Sequence, residues 1–157
     1  MEIFFARSAS ADPFDLKAAL LAGHAQHPVI VHFPIALFIA SAAFEVLAIW
    51  KHRPAFAMVA YFNLMLAALS LPFTIATGIG AWQWQMEGAR VKGNLQLHLL
   101  CAVATSLLIL ALTWNRRRLW QKNERPSFFY FVGMSLALMM ITLTGHLGGI
   151  LSGVETS

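Results

Sequence analysis

The chain has 157 residues, of which 59% are hydrophobic and only 11% are charged. A soluble domain carries about a quarter charged residues, so this composition excludes an ordinary soluble globular protein. The formal charge of +4 is small, and it gives no reason to expect nucleic acid as a partner.

Residues 1–27 form a leader that is too short and too polar to cross a membrane. The stretch DPFDLKAALLAG within it is predicted to form a short helix that is capped by Asp12 and lies on the membrane surface. The apolar block that follows is not a signal peptide, because it is too long and no small-residue cleavage site follows it.

The apolar residues fall into four long blocks, at about residues 28–50, 56–82, 96–114 and 127–151. Each block has close to the roughly 20 residues that a helix needs to cross a bilayer. Short connections join the blocks, which makes consecutive helices antiparallel neighbours. The sequence therefore predicts an all-α membrane protein, an up-and-down bundle of four transmembrane helices over residues 28–153, with a tail at 154–157.

Lysine and arginine orient the spans, because they are enriched in the cytoplasmic loops of membrane proteins. Most of them lie in the first connection, 51–55, and in the third, 115–127, whereas the leader, the second connection and the tail hold few. This pattern predicts that both termini and the second connection face outward. The expected location is the bacterial cytoplasmic (inner) membrane, with the helices in contact with lipid.

Three helices are predicted to bring a histidine to one layer near the outer surface. His32 lies near the start of the first span, His98 near the start of the third and His146 near the end of the fourth. Ionisable residues at membrane depth usually face the bundle interior and mark a functional site. We therefore expect the three rings to meet in one pocket, with His27 just above them at the solvated entry to the first helix.

Two kinds of metal centre suit such a layer, because a neutral imidazole is the commonest metal ligand among side chains. The first is a b-type haem with two axial histidines, where glycines let the macrocycle approach the helix backbones. The second is a zinc or copper ion held by three or four histidines. The alternative of another class is a cofactor-free structural subunit, whose glycines serve helix packing. The candidate haem-site residues are His32, His98, His146, Gly78, Gly145 and Gly149, and the candidate zinc or copper ligands are His27, His32, His98 and His146.

Glu45 is the other ionisable residue within a span, and it lies about 20 Å along the helix from the histidine layer. We expect it to form a buried structural pair with Lys51 or Arg53, or a hydrogen bond with Asn63. A carboxylate in a proton relay is the alternative.

No nucleophile–base constellation, phosphate-binding loop or HExxH motif occurs in the sequence, so no catalytic residue is predicted and the chain is not expected to be an enzyme on its own. The single cysteine, Cys101, is expected to pack as a small apolar residue. A weak internal similarity links TIATGIGAW at the end of the second span with TLTGHLGGI at the end of the fourth, as two hairpins of the same orientation would produce.

The stretch HPVIVHFPIALFIASAAFE, residues 27–45, resembles the opening of a bacterial family of four-helix membrane proteins, the DUF2231 type. The resemblance continues at Gly78, at His98 and in the run Gly145–Gly149, and it covers residues 24–153. Some members are fused to c-type cytochrome modules, which implies electron transfer and favours haem over zinc. Many members have Trp in place of His146, so the resemblance implies His32 and His98 as the axial pair. The implied partners are other membrane subunits or a periplasmic c-type cytochrome.

Overall fold

The computed structural model describes residues 23–84 and 86–153, and within them the regular elements are all α-helices. Each of the four helices is long and apolar enough to cross a membrane, which confirms the predicted all-α fold. The predicted leader helix lies outside the described residues except for Gly23, and the predicted tail, 154–157, lies wholly outside them. The helices are α1 (Gly23–Lys51), α2 (Pro54–Trp84), α3 (Gly93–Gln121) and α4 (Phe128–Leu151).

Three helices are longer than the sequence suggested, and the difference is largest for α1 and α3. The first begins at Gly23 and includes His27, which was expected to be a solvated entry residue. The third continues through Arg116 to Gln121, where a connection was predicted. The charged run does not end the helix, because arginine is a good helix former.

The ends of α1 and α3 depend on backbone geometry rather than on charge. His52, which follows α1, has a left-handed backbone with φ 51°, and Asn123 beyond α3 has φ 55°. A left-handed residue directs the chain away from the helix axis and so ends the helix.

The four helices pair as two hairpins, hairpin A (α1 and α2) and hairpin B (α3 and α4). Packing is most extensive within each hairpin, less extensive between α2 and α3, and slight between α1 and α4. Helices α1 and α3 therefore run in the same direction on diagonally opposite sides of the bundle. An apolar core that includes Phe38, Leu64, Ile109 and Met134 lies between them.

The buried positions repeat from one hairpin to the other at a constant spacing. Each buried position of α1 has a buried counterpart in α3, and the two are separated by 71 residues, as Glu45 and Arg116 are. For α2 and α4 the corresponding separation is 70 residues. The equivalent buried pairs are Pro34/Thr105, Phe38/Ile109, Ser41/Leu112 and Glu45/Arg116 in the first helices, and Ala60/Tyr130, Leu64/Met134, Ala67/Ala137 and Leu71/Ile141 in the second.

The described residues include a buried ion pair, which lies at the end of the bundle that we call the arginine end. Glu45 of α1 accepts a hydrogen bond from Nε of Arg116 of α3, and the two side chains are 2% and 3% exposed. The expectation of a buried pair was right, but the expected partners were wrong. Lys51 lies on a different face of α1, about 240° around the helix from Glu45. The Asn63 amide donates to a carbonyl of its own helix.

Tyr130 of α4 lies beside this ion pair. Its side chain is 3% exposed and interacts electrostatically with Glu45 and Arg116. Among the residues that the structure describes, no group forms a hydrogen bond with the Tyr130 hydroxyl. A buried hydroxyl without a partner destabilises the folded state, because its hydrogen bonds to water are lost and not replaced.

Replacing Arg116 by Met should destabilise the protein strongly, because Glu45 would remain buried without its counter-charge. A loss of about 3–5 kcal/mol is typical when one partner of a buried pair is removed. The measurement is the thermal unfolding temperature of the purified protein in detergent. Arg117→Met is the matched control, since Arg117 is adjacent and exposed, and a similar loss in both variants would contradict the buried pair.

Replacing Tyr130 by Phe should raise the unfolding temperature, because the substitution removes the unpaired hydroxyl and keeps the ring. The gain should be of the order of 1 kcal/mol. Tyr61→Phe is the control, since the Tyr61 ring stacks on Trp120 at 5.0 Å and this contact does not depend on the hydroxyl. A lower unfolding temperature for Tyr130→Phe would show that the hydroxyl is satisfied.

Candidate functional site

Two histidines come together at the opposite end of the bundle, which we call the histidine end. His27 of α1 and His98 of α3 are both half-buried, and they are close enough to interact electrostatically. The two histidines occupy equivalent positions of the repeat, because 71 residues separate His27 from His98, the same spacing as between Glu45 and Arg116. Because the two helices are parallel and in register, one alignment brings both ionisable pairs into the interior. The two pairs are separated by about 27 Å along the helices.

The His98 ring is anchored on α4, its partner within hairpin B. Its Nδ1 lies 3.1 Å from the carbonyl oxygen of Thr144. A carbonyl only accepts hydrogen bonds, so the proton of this interaction belongs to Nδ1. The ring also packs on Gly148, where an added Cβ would lie 3.3 Å from its Cε1 atom.

The His27 ring is anchored in the same manner on α2, within hairpin A. Its Nδ1 lies 3.1 Å from the hydroxyl oxygen of Thr77. The Thr77 hydroxyl also lies within hydrogen-bond distance of the carbonyl oxygens of Phe73 and Thr74, at 3.1 and 3.0 Å. When its single proton is donated to one of these carbonyls, its oxygen accepts from His27, and Nδ1 of the ring is the donor. The ring packs on Gly78, where an added Cβ would lie 3.1 Å from Cε1.

The two anchors share one feature, although the His27 ring also has the Thr77 hydroxyl as a partner. The backbone carbonyl of Thr74 interacts with the His27 ring, as the carbonyl of the equivalent Thr144 does with His98. Each threonine hydroxyl also donates to the carbonyl four residues earlier in its own helix. The shared unit is a histidine on the first helix of a hairpin and a Thr-x-x-x-Gly segment on the second. The two copies are His27 with Thr74 and Gly78, and His98 with Thr144 and Gly148.

The hydrogen bonds give both rings the same protonation pattern. A neutral imidazole has one N–H, so a proton on Nδ1 leaves the lone pair on Nε2. Histidines that bind metals commonly donate one ring N–H to a carbonyl or similar acceptor, which fixes the ring and directs the other nitrogen to the metal. The pair therefore offers two oriented imidazole nitrogens from opposite hairpins.

Two of the predicted histidines do not join this pair. His32 is exposed, and its Nδ1 contacts the Pro28 carbonyl of its own helix. His146 is exposed as well. The structure places His27, rather than His32, beside His98, for a geometric reason. His32 follows His27 by five residues, which places the two side chains about 140° apart around α1.

The glycines were expected to let a haem macrocycle approach the helix backbones, and two of them have a different neighbour in the structure. Gly78 and Gly148 make room for the imidazole rings themselves. An added Cβ at Gly145 would meet no atom within 4 Å among the described residues, so this glycine is not required by a close contact. Gly149 is half-buried, next to Gly148.

A zinc or copper site built from four histidines is not assembled in the described part of the chain. Within residues 23–84 and 86–153, no group of three or more histidine, cysteine, aspartate or glutamate side chains could hold a metal ion. A closed zinc site needs four ligands, and a catalytic one needs three. A bare metal ion is therefore not supported by these residues, whereas a ligand that needs only two imidazoles is compatible with them.

The threonines that anchor the two rings are not among the residues that the sequence predicts for the site, and Arg116 is not a predicted partner of Glu45. A signal for the threonines was present, since Thr-x-x-x-Gly occurs near the end of the second span and again near the end of the fourth. The similarity between these segments had been aligned on Thr-Gly pairs, which places Thr77 opposite Thr144. The structure instead makes Thr74 equivalent to Thr144, which shifts the register by three residues.

Comparison with known proteins gives one finding of similarity. The profile of the family described as "Predicted membrane protein (DUF2231)" matches residues 23–155. This range includes all four helices and both histidines of the pair. No curated protein and no solved structure matches the chain.

Replacing Gly78 or Gly148 by Ala should destabilise the protein, because the new methyl group would push a ring that its Nδ1 hydrogen bond holds in place. The control is Gly145→Ala, which has space for the methyl group and should be neutral or slightly stabilising, since Ala favours the helix by up to about 1 kcal/mol. Thermal unfolding in detergent compares the three variants. An equal effect at all three positions would contradict the ring contacts.

Proposed function

The chain belongs to the DUF2231 family of membrane proteins, and we propose that it is an electron-transfer subunit that binds a b-type haem at the histidine end. In this proposal His27 and His98 would hold the haem iron. His98 is one of the two ligands expected from the sequence, and His27 takes the place of His32 because His32 is exposed on the bundle surface.

One observation carries the proposal. Two half-buried imidazoles from different hairpins lie close together, and each has its Nδ1 proton engaged by the neighbouring helix. An unpaired ionisable ring is costly at membrane depth, and such residues usually mark a functional site. Both Nε2 lone pairs are available for a metal, because the hydrogen bonds assign the proton of each ring to Nδ1.

The number of ligands favours haem over a bare ion. Haem iron needs at most two axial ligands from the protein, because the macrocycle supplies the other four. When bound, the haem would supply reversible one-electron chemistry. The protein residues would hold the group and tune its potential. His27 and His98 would bind the iron, and Thr77 and Thr144 would fix the ring orientations through the Nδ1 protons.

The position of the two histidines, one on each hairpin, suits a ligand that is bound by both hairpins at once. Packing within each hairpin is extensive, and the α1–α4 contact is slight. Each histidine is anchored on its own hairpin, so a shared ligand would join hairpin A to hairpin B without disturbing either anchor.

Charge distribution sets the proposed orientation. The exposed residues Arg117, Arg118, Lys51 and Arg53 all lie at the arginine end. By the positive-inside rule this end faces the cytoplasm, and the histidine end faces the periplasm of a bacterial inner membrane. A haem near the periplasmic surface would exchange electrons with a periplasmic c-type cytochrome or with a larger membrane complex.

The test is the visible absorption spectrum of the full-length protein, purified in detergent from cells supplied with haem precursor. The wild type should show a reduced-minus-oxidised b-type spectrum. His27→Ala and His98→Ala should each lose most of the bound haem. His32→Ala and His146→Ala are the matched controls, and they should keep it.

Two results would contradict the proposal. The first is a colourless wild-type protein that does not take up added haemin. The second is a haem spectrum that survives His27→Ala and is lost in His32→Ala. The unfolding temperature of each variant separates loss of the ligand from loss of the fold.

A further inference from the structure

The repeat of buried positions has a consequence for how the two hairpins recognise each other. Residues that are equivalent in the two hairpins also lie beside each other: Glu45 forms an ion pair with Arg116, and His27 is close enough to His98 to interact electrostatically. Contact between equivalent residues is the property of an interface formed around a two-fold rotation axis. At these two pairs α1 and α3 are therefore related by a local, approximate two-fold axis along the bundle, whereas the packing of α2 on α3 is more extensive than that of α1 on α4.

The two pairs differ in one respect. At the histidine end both hairpins carry a histidine. Two copies of either hairpin would therefore also form a histidine pair there. At the arginine end, hairpin A carries a carboxylate and hairpin B carries a guanidinium at the equivalent position. Both side chains are almost completely buried, at 2% and 3% exposure.

We infer that Glu45 and Arg116 form a recognition pair by which hairpin A selects hairpin B and rejects a second copy of itself. The surface in question is the inner face of each hairpin, and the partner that it fits is a hairpin with the opposite charge at the equivalent position. The remaining buried contacts between the hairpins are mostly apolar, so they pack without distinguishing one hairpin from the other.

Wrong pairings would bury like charges. Two copies of hairpin A would place Glu45 opposite Glu45, and two copies of hairpin B would place Arg116 opposite Arg116. Repulsive elements of this kind give specificity, because the attractive contacts are shared by the right and the wrong partner. In a bilayer the hydrophobic effect does not drive helices together, so polar contacts contribute more to the choice of partner than they do in a soluble protein.

The test uses full-length chains that carry two different affinity tags. Glu45→Arg and Arg116→Glu, each expressed alone, should lose most of the monodisperse protein in size-exclusion chromatography. The double variant with both changes should recover most of it, because the two-fold arrangement lets the charges exchange places.

Co-expression of the two single variants gives the decisive measurement. The Glu45→Arg chain has arginine at both positions 45 and 116, and the Arg116→Glu chain has glutamate at both. Each hairpin therefore finds a hairpin of opposite charge only in the other chain. Exchange of hairpins is feasible because residues 85–92 can extend over roughly 26 Å. The two tags should co-purify several-fold more strongly than they do for two wild-type chains.

The control pair is Glu87→Arg with Arg90→Glu, which changes the same charges at exposed positions. It should co-purify no more than the wild type. The inference is overturned if the single variants fold as well as the wild type, if the double variant recovers nothing, or if co-expression leaves the two tags separate. None of these results depends on haem, so the recognition pair is tested independently of the proposed function.

Discussion

An ionisable side chain inside a membrane must find its partner within the protein, and this constraint organises the bundle. Glu45 and His27 lie on one face of α1, and Arg116 and His98 lie on one face of α3. One parallel alignment of these two helices satisfies both pairs at once, because the spacing between histidine and charged residue is the same in each helix. The apolar core between the two pairs fixes the distance between helices, and the pairs fix their register.

The two ends of the bundle use this alignment for different purposes. At the arginine end the opposite charges neutralise each other, which gives stability and a choice of partner hairpin. At the histidine end the rings are alike, and each is held through Nδ1 by its own hairpin. Two identical neutral bases do not satisfy each other, because both offer a lone pair from Nε2. That mismatch is the physical reason for proposing a ligand at the histidine end and none at the arginine end.

The number, length and apolar character of the spans could be predicted from the sequence, because hydrophobic length is a direct consequence of bilayer thickness. The depth of the histidines in the membrane could be predicted in the same way, and this prediction included His98, one of the two histidines of the pair. Depth does not determine which side of a helix a residue occupies, and for that reason His32 was favoured over His27. Arg116 was missed for a related reason, since a charged residue near a span end was assigned to the cytoplasmic connection. The Thr-x-x-x-Gly segments were visible in the sequence, but their register became clear only from the repeat of buried positions.

The histidine end depends on two features: His27 and His98 lie close together, and each ring carries its proton on Nδ1. The most direct measurement is solid-state NMR of the protein in lipid bilayers with isotope-labelled histidine, in which single substitutions assign each ring. The account predicts a through-space correlation between the His27 and His98 rings, with a proton on Nδ1 and none on Nε2 in both when no ligand is bound. A correlation of His98 with His32 in its place, or a proton on Nε2 of either ring, would contradict it.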